Sequence, residues 1–318
     1  MLSKMKLIIQ IPCLNEEETL PLVFENIPTH IDGIDEIETL IIDDGSTDRT
    51  VEVARKLGVD HIVHHAQNRG LAKSFADGVD AALKLGADIV VNTDGDNQYP
   101  QESIPELVKP ILDGEAEIVV ADRQTSKIEH FSSFKKFLQR FGSKVVNLAA
   151  GTEIPDAASG FRAYSKSALM EINIITDFSY CMETIIHAGR KGIPITSTPV
   201  VTNPKTRESR LFKSMRQHVV RSGSAIVRSY TMHRAFKVFS IAAVFLLIAG
   251  TIPFLRYAWL YFSADATVGD HIQSLIVGAV LMIVGVLFVV LGILADLIKI
   301  NRKLLEDLLE ITKTTRYS

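Results

Sequence analysis

The feature that most constrains this chain is a pair of uninterrupted apolar stretches near its C-terminus. Val238 to Leu255 reads VFSIAAVFLLIAGTIPFL and Leu275 to Ala295 reads LIVGAVLMIVGVLFVVLGILA, neither with a charged residue. Each approaches the ~20 residues needed to cross the hydrocarbon of a bilayer. A helix that is apolar all round has no polar face to offer water, so these stretches predict two transmembrane helices rather than core helices of a soluble domain. The link between them, Arg256 to His271, carries one basic residue and two acids, whereas Arg234 and Lys237 precede the first stretch and Lys299, Arg302 and Lys303 follow the second. Basic flanks stay on the cytoplasmic side, which predicts that both termini and everything before the anchor are cytoplasmic. Tyr257, Trp259 and Tyr261 in the link suit the far membrane interface. The N-terminal MLSKMKLIIQIP has an apolar run of strand length and does not read as a cleaved signal.

Ahead of the anchor there is room for one soluble domain of about 200 residues. Its first part alternates β-rich runs with helical patterns, which predicts the α/β class with a parallel sheet. The strand candidates are Lys6–Pro12, Glu38–Asp44, Asp60–His65, Ala87–Asp94 and Glu117–Asp122. The helical patterns between them end at Gly58, Gly86 and Gly114, residues suited to a left-handed helix C-terminus.

Open parallel sheets bind ligands beyond the carboxyl ends of their strands. Polar clusters fall at four of those ends here: Asn15-Glu16-Glu17, Asp43-Asp44-Gly45-Ser46, Asp94-Gly95-Asp96 and Asp122-Arg123. Any one of them alone reads as a turn or a helix cap, and Ser46 and Asp48 suit capping. Their convergence predicts a site. Asp94 and Asp96, two apart with Gly95 between them to give the backbone freedom, can share a hard divalent cation that also holds phosphate oxygens. A solvated turn, a calcium loop and an acid/base carboxylate pair compete with that reading. An EF-hand is set aside, because the twelfth position counted from Asp94 is Pro105 and not the required glutamate. Neither a phosphate-cradling G-x-x-x-x-G-K-[ST] nor a dinucleotide G-x-G-x-x-G follows the first strand.

The net charge of −3 hides an uneven distribution, since Lys205 to Lys237 holds nine Lys/Arg and only Glu208 as an acid. On a helical wheel Phe212, Met215, Val219, Ile226 and Tyr230 share one side, with Arg210, Arg221 and Arg228 near the other. That pattern predicts an interfacial helix on anionic headgroups, and its place beside a membrane span argues against nucleic acid. The competing reading is a helix packed on the soluble domain. Cys13 and Cys181 are too few and too far apart for a zinc site and read as buried thiols. The nine histidines are scattered, and His64, His65 and His187 read as structural.

IPCLNEEETL, IIDDGSTDRT, NRGLAKSF, NTDGDNQYP, the Arg123 of VADRQ, DAASGFRAYSK and TRESRL occur in the order found in inverting family 2 glycosyltransferases. The set most resembles the dolichyl- and polyprenyl-phosphate sugar synthases, over roughly residues 6–212. The resemblance implies a GT-A, Rossmann-like, mainly parallel sheet over residues 1–204. It would be followed by an acceptor loop and basic juxtamembrane helix (205–235), a transmembrane hairpin (236–298) and a cytoplasmic tail (299–318). It also implies that Pro12, Asn15, Glu16, Asp44 and Gly70, with Asp94, Gly95 and Asp96, bind the nucleotide-sugar donor. Asp94, Asp96 and Gln98 would hold Mg²⁺ or Mn²⁺, and Arg123, Ser159 and Arg207 would receive the acceptor phosphate, Ser159 within the same turn as Gly160. Asp96, Arg123 and Arg207 would then serve the transfer itself. Where the family often has D-A-D-L-Q, this chain has D-G-D-N-Q, which leaves the donor sugar open. Two other readings stand beside this one: a transferase for a different lipid or polysaccharide acceptor, and a catalytically silent membrane subunit of the same fold. Self-association through the apolar pair is compatible with the sequence and specified by no motif.

Overall fold

The computed structural model describes residues 4–125, 133–173, 180–204, 215–262 and 272–317; side chains are described in those segments except at 133–138, 215–235, 299, 302, 303 and 306. In chain order the elements are β1 (Lys6–Cys13), α1 (Leu20–Glu25), β2 (Glu36–Asp43), α2 (Thr50–Lys56), β3 (His61–His64), α3 (Leu71–Lys84), β4 (Ile89–Asn92), α4 (Ile104–Leu112), β5 (Ile118–Asp122), α5 (Ser133–Ala150), β6 (Arg162–Ser165), α6 (Lys166–Glu171), α7 (Tyr180–Lys191), β7 (Ile195–Pro199), α8 (Met215–Phe262) and α9 (Ile272–Tyr317). The seven strands form one sheet in the order β3-β2-β1-β4-β6-β5-β7. Only β6 runs against its neighbours, pairing antiparallel with both β4 and β5.

The expected first five strands are all present, and Gly58, Gly86 and Gly114 take left-handed φ values of 78°, 80° and 72° past their helices. β6 and β7 lie beyond the five strands that the alternating pattern predicts. β6 is four residues long and begins with Arg162, which is fully buried; β7 is an edge strand, paired parallel with β5.

Alternation along β1 shows how the layers assemble. Leu7, Ile9 and Ile11 join a core with Leu20 and Val23 of α1 and Leu107 and Val108 of α4. Ile8 faces the opposite core, with Phe75 and Val79 of α3 and Ile185 of α7. Successive side chains of a strand point to opposite faces, so a strand with apolar residues in both registers must be covered on both sides. The sheet is accordingly a middle layer, and its carboxyl edge is free to carry loops.

The chain divides into two compact units, one of residues 1–223 and 310–318 and the other of residues 224–309. In the second unit, Phe236–Phe262 and Ile272–Ile298 are long and apolar enough to cross a membrane. Core helices would bury their apolar residues, but Phe245 is 71% and Ile298 68% exposed. Phe239 and Phe288 meet edge to face across the two helices, with ring centroids 5.8 Å apart. Two boundaries differ from expectation. Residues 215–235 are not a separate helix but the start of α8, which runs on into the first apolar stretch. Tyr257, Trp259 and Tyr261 belong to the end of α8 rather than to a loop. The tail likewise continues α9, and its last residues lie in the first unit, where Lys313 Nζ donates to the carbonyls of Ile172 (2.6 Å) and Leu169 (3.2 Å).

Candidate active site

Among the described residues, the non-glycine positions with left-handed backbone are Asn15 (φ 56°), Asn97 (φ 57°) and Gln124 (φ 48°). All follow the carboxyl end of a strand, β1, β4 and β5 respectively. That conformation is costly for most side chains and easiest for asparagine, and such strain gathers at functional sites. The rim inferred from the polar clusters is therefore also where the backbone departs most from its ordinary conformations.

On the β1–β2 side, two loops are stitched together by side chains bonding to backbone. Asn15 N donates to Ser46 Oγ (2.9 Å), and Thr47 N donates back to Asn15 Oδ1 (2.7 Å). Glu16 N donates to Thr50 Oγ1 (2.8 Å) and Glu17 N to Asp48 Oδ2 (3.2 Å). Ser46 and Asp48 accept from backbone N–H groups, Ser46 from Asn15 and Asp48 from Glu17 and Thr50, but neither is the N-cap of α2, which is Arg49 without a side-chain cap bond. Asp44 is nearly fully buried. It accepts from Arg69 N (2.8 Å) and Gly70 N (2.9 Å), and its Oδ1 lies 2.9 Å from His65 Nδ1. His65 Nε2 in turn sits 3.1 Å from Asp77 Oδ2, while His64 Nδ1 is 2.6 Å from Asp43 Oδ2. The histidines thus hold carboxylates in place, and Asp44 brings Gly70 to the rim. Pro12 lies within β1, paired with Ile42.

Beyond β4, Asp96 is anchored by the second residue after it. Gln98 N donates to Asp96 Oδ1 (3.2 Å), and the Gln98 side-chain amide donates to Oδ2 (2.7 Å). Gly95 plays a different part from the one its sequence position suggests. The left-handed residue of this loop is Asn97, and Gly95 sits where space is tight: a Cβ there would lie 3.0 Å from Cys13 Sγ and 3.2 Å from Glu16 Cγ. The departure from D-A-D-L-Q thus has a local cause at both positions. The Cys13 and Glu16 side chains crowd the space a methyl would take, and asparagine suits the turn at 97. Thr19 Oγ1 lies 2.7 Å from Gly95 O and 2.8 Å from Glu16 Oε2, joining this loop to the first one.

The turn before β6 closes the site from the other side. A Cβ on Gly160 would lie 3.3 Å from Asp94 Oδ2, so the turn lies directly against the first carboxylate. Gly160 N donates to the Tyr99 hydroxyl (2.9 Å), and Gly160 O accepts from Asn92 Nδ2 (2.9 Å). Arg123 donates through Nε and Nη2 to both oxygens of Asp156, at 2.6 and 2.9 Å. Burial works against the Arg123 charge, but Tyr99 and the Asp156 carboxylate outweigh it and raise its pKa above the usual arginine value. Ser159 is fully buried, and its Oγ has no hydrogen-bond partner among the described residues. Arg207 lies outside the described residues.

The structure therefore brings Asn15, Glu16, Asp44, Gly70, Asp94, Gly95, Asp96, Gln98 and Arg123 to one rim. Asp156 and Thr19 join them without having been picked out from sequence. Asp156 opens the DAASGFRAYSK stretch, but its partner is 33 residues away, so no role could be assigned to it locally. Cys13 and Cys181 are free and buried, and burial raises both thiol pKa values, so neither is poised as a nucleophile.

Two carboxylates and an amide oxygen are an incomplete shell, and among the described residues no group of three or more His, Cys, Asp or Glu is placed to complete one. That donor set suits Mg²⁺ or Mn²⁺, which typically bind one or two carboxylates and take their remaining ligands from substrate phosphates and water.

Comparison with known proteins identifies the family and the fold. The family profile described as "Glycosyl transferase family 2" matches residues 8–172. The UDP-N-acetylglucosamine–dolichyl-phosphate N-acetylglucosaminyltransferase of Methanococcus voltae is 29% identical over 213 residues, covering 60% of this chain and 83% of that one. The dolichyl-phosphate hexose transferase of Haloferax volcanii is 30% identical over 197 residues, covering 62% and 82%. Among solved structures, glucosyl-3-phosphoglycerate synthase from Mycobacterium tuberculosis, in complex with Mn²⁺, UDP and phosphoglyceric acid, superimposes with a TM-score of 0.55. It is 20% identical and covers 70% of this chain and 78% of that one, a likeness of fold.

Proposed function

Because the chain belongs to glycosyl transferase family 2, we propose that this glycosyltransferase moves one sugar from a nucleoside-diphosphate sugar to a polyprenyl or dolichyl phosphate at the cytoplasmic face of a membrane. The observation that carries the reading is the seat formed by Asp94 and Asp96 between the Glu16 loop and the Gly160 turn. The relatives named for dolichyl-phosphate sugar transfer support the acceptor class. Residues 1–204 are the catalytic domain, 205–235 the acceptor loop and basic helical segment, 236–298 the membrane hairpin and 299–318 the cytoplasmic tail. Basic flanks support the orientation.

In this reading Pro12, Asn15, Glu16, Asp44 and Gly70 shape the nucleotide pocket. Asp94, Asp96 and Gln98 hold Mg²⁺ or Mn²⁺, which when bound offsets charge on the departing diphosphate. Gln98 keeps the Asp96 carboxylate oriented. Arg123 retains donors beyond its two bonds to Asp156, so it can orient an anionic acceptor, with Arg207 and the Ser159 turn as further acceptor contacts. A lipid monophosphate is already anionic near neutral pH, so the chain needs to position it more than to deprotonate it. One phosphate oxygen attacks the anomeric carbon in line, the bond to the nucleoside diphosphate breaks, and the configuration inverts.

The test offers the full chain in detergent a panel of UDP- and GDP-sugars, polyprenyl phosphate and Mg²⁺ or Mn²⁺. One labelled donor should give a labelled lipid, and Asp96→Ala should lower the rate by on the order of a hundredfold or more. No labelled lipid from any donor, or equal labelling by the variant, overturns the reading.

A further inference from the structure

We infer that Asn203, in the segment after β7, is a positioning residue for the loop that carries Asp94 and Asp96. The inference rests on the reading of that loop as the metal and diphosphate seat. Asn203 N donates to Gln98 O (3.0 Å), and its side-chain Nδ2 donates to Asn97 O (3.1 Å) and lies 3.4 Å from Tyr99 O. One asparagine thus engages three successive carbonyls of the loop. The segment that carries it is fixed to the sheet just upstream, where Val200 N donates to Asp122 O at 2.8 Å.

Each of the three carbonyls leads to a part of the site. Asn97 has the left-handed backbone of the loop (φ 57°), a conformation that persists only when its surroundings hold it. Gln98 orients the Asp96 carboxylate through both its backbone and side-chain N–H groups, so the hydrogen bond to Gln98 O fixes the residue that aims the carboxylate. Tyr99 is buried, its ring stacks on Phe161 with centroids 5.2 Å apart, and its hydroxyl accepts from Gly160 N in the turn against Asp94. Thr19 supports the loop at Gly95 O, and Asn203 supports it at Asn97, Gln98 and Tyr99. The hydrogen bonds of Asn203 go to the carbonyls of 97–99, so its effect passes through the backbone of that loop.

This role asks for a neutral side chain with an N–H donor. Alanine removes the side-chain hydrogen bonds and keeps the backbone one. Aspartate keeps the shape but has no donor, and it adds a negative charge beside carbonyls that need hydrogen-bond donors. A loop held less firmly pre-organises the two carboxylates less well, so the cost appears in metal-linked nucleotide binding rather than in binding of the nucleotide alone.

The test is calorimetric titration of UDP and GDP into the full chain in detergent, with and without Mn²⁺, for wild type, Asn203→Ala and Asn203→Asp. Stoichiometry reports the folded fraction and Kd reports the site, so a folding defect does not mimic the effect. The expected result is that Mn²⁺ tightens wild-type binding of one nucleotide. Asn203→Ala should lose about tenfold of that Mn²⁺-linked gain, Asn203→Asp should lose more, and metal-free affinity should not change. Wild-type binding of both nucleotides that is indifferent to Mn²⁺ overturns the reading of the seat and this inference with it. A wild type that responds to Mn²⁺ while both variants match it overturns the inference alone. So does an equal loss with and without metal, which would make Asn203 a support of the pocket as a whole.

Discussion

The two halves of the rim are held together by different physics. Where the β1 and β2 loops meet, support is spread over several mostly neutral bonds between side chains and backbone N–H groups, from Asn15, Ser46, Asp48 and Thr50. Beyond β5, the Arg123 side chain is held by a part-buried ion pair with Asp156, the two side chains being 19% and 3% exposed. A distributed network loses little when one bond goes, whereas a buried pair that loses one member leaves a charge with no counterpart in a poorly solvated place. The nucleotide side should therefore tolerate substitution better than the acceptor side.

The largest effect should come from breaking the pair. Arg123→Met and Asp156→Asn each strand the other partner, and each should cost about 3–5 kcal/mol of stability. The double variant Arg123→Met/Asp156→Asn should cost much less than the sum, because no charge is then left stranded. Denaturation midpoints of the four proteins in detergent measure the coupling, and additive losses would erase the contrast between the halves.

A smaller effect is expected from the same kind of cut on the other side. Thr50 is fully buried and accepts from Glu16 N at 2.8 Å. Thr50→Val leaves that N–H without its acceptor and should cost about 1–2 kcal/mol, and Thr50→Ser should restore most of it. A loss as large as that of Arg123→Met would show that the network is not distributed.

How far each half could be read from sequence follows the same division. The β1, β2 and β4 clusters were readable because each sits within a few residues of an apolar strand, and the strand's alternation aims it at the rim. β6 was not readable. Its first residue, Arg162, is fully buried and donates to Ala157 O, Ser159 O, Cys181 O and Thr184 Oγ1 at 2.7–2.9 Å, acceptors that no local pattern brings together. A buried arginine satisfied in this way looks in sequence like the end of a loop. The same applies to Asp156, whose partner is set by the pairing of β5 with β6. Asn203 is farther still, bonded to a residue 106 positions away. Local patterns locate the carboxylates, but what holds them is tertiary.

The smallest effect is the one that pH reveals on the nucleotide side. Asp48 accepts from Thr50 N (2.9 Å), Thr50 Oγ1 and Glu17 N (3.2 Å). Partial burial raises its pKa, but the hydrogen bonds led by Thr50 outweigh that and hold it below the ordinary aspartate value of 3.8. A carboxyl whose folded pKa lies below its unfolded one binds fewer protons folded than unfolded in the interval between them, so acid favours unfolding there. Its contribution is therefore complete above about pH 4 and is lost as the pH falls from 3.8 through the depressed folded value. Asp48→Asn has no such proton linkage. Its thermal midpoint should lie slightly below wild type at pH 7, and the gap should close as the pH is lowered through that window. A constant Asp48→Asn gap between pH 7 and pH 3 would mean that the carboxylate's charge contributes nothing to joining the two loops, and that neutral hydrogen bonds alone hold the nucleotide side.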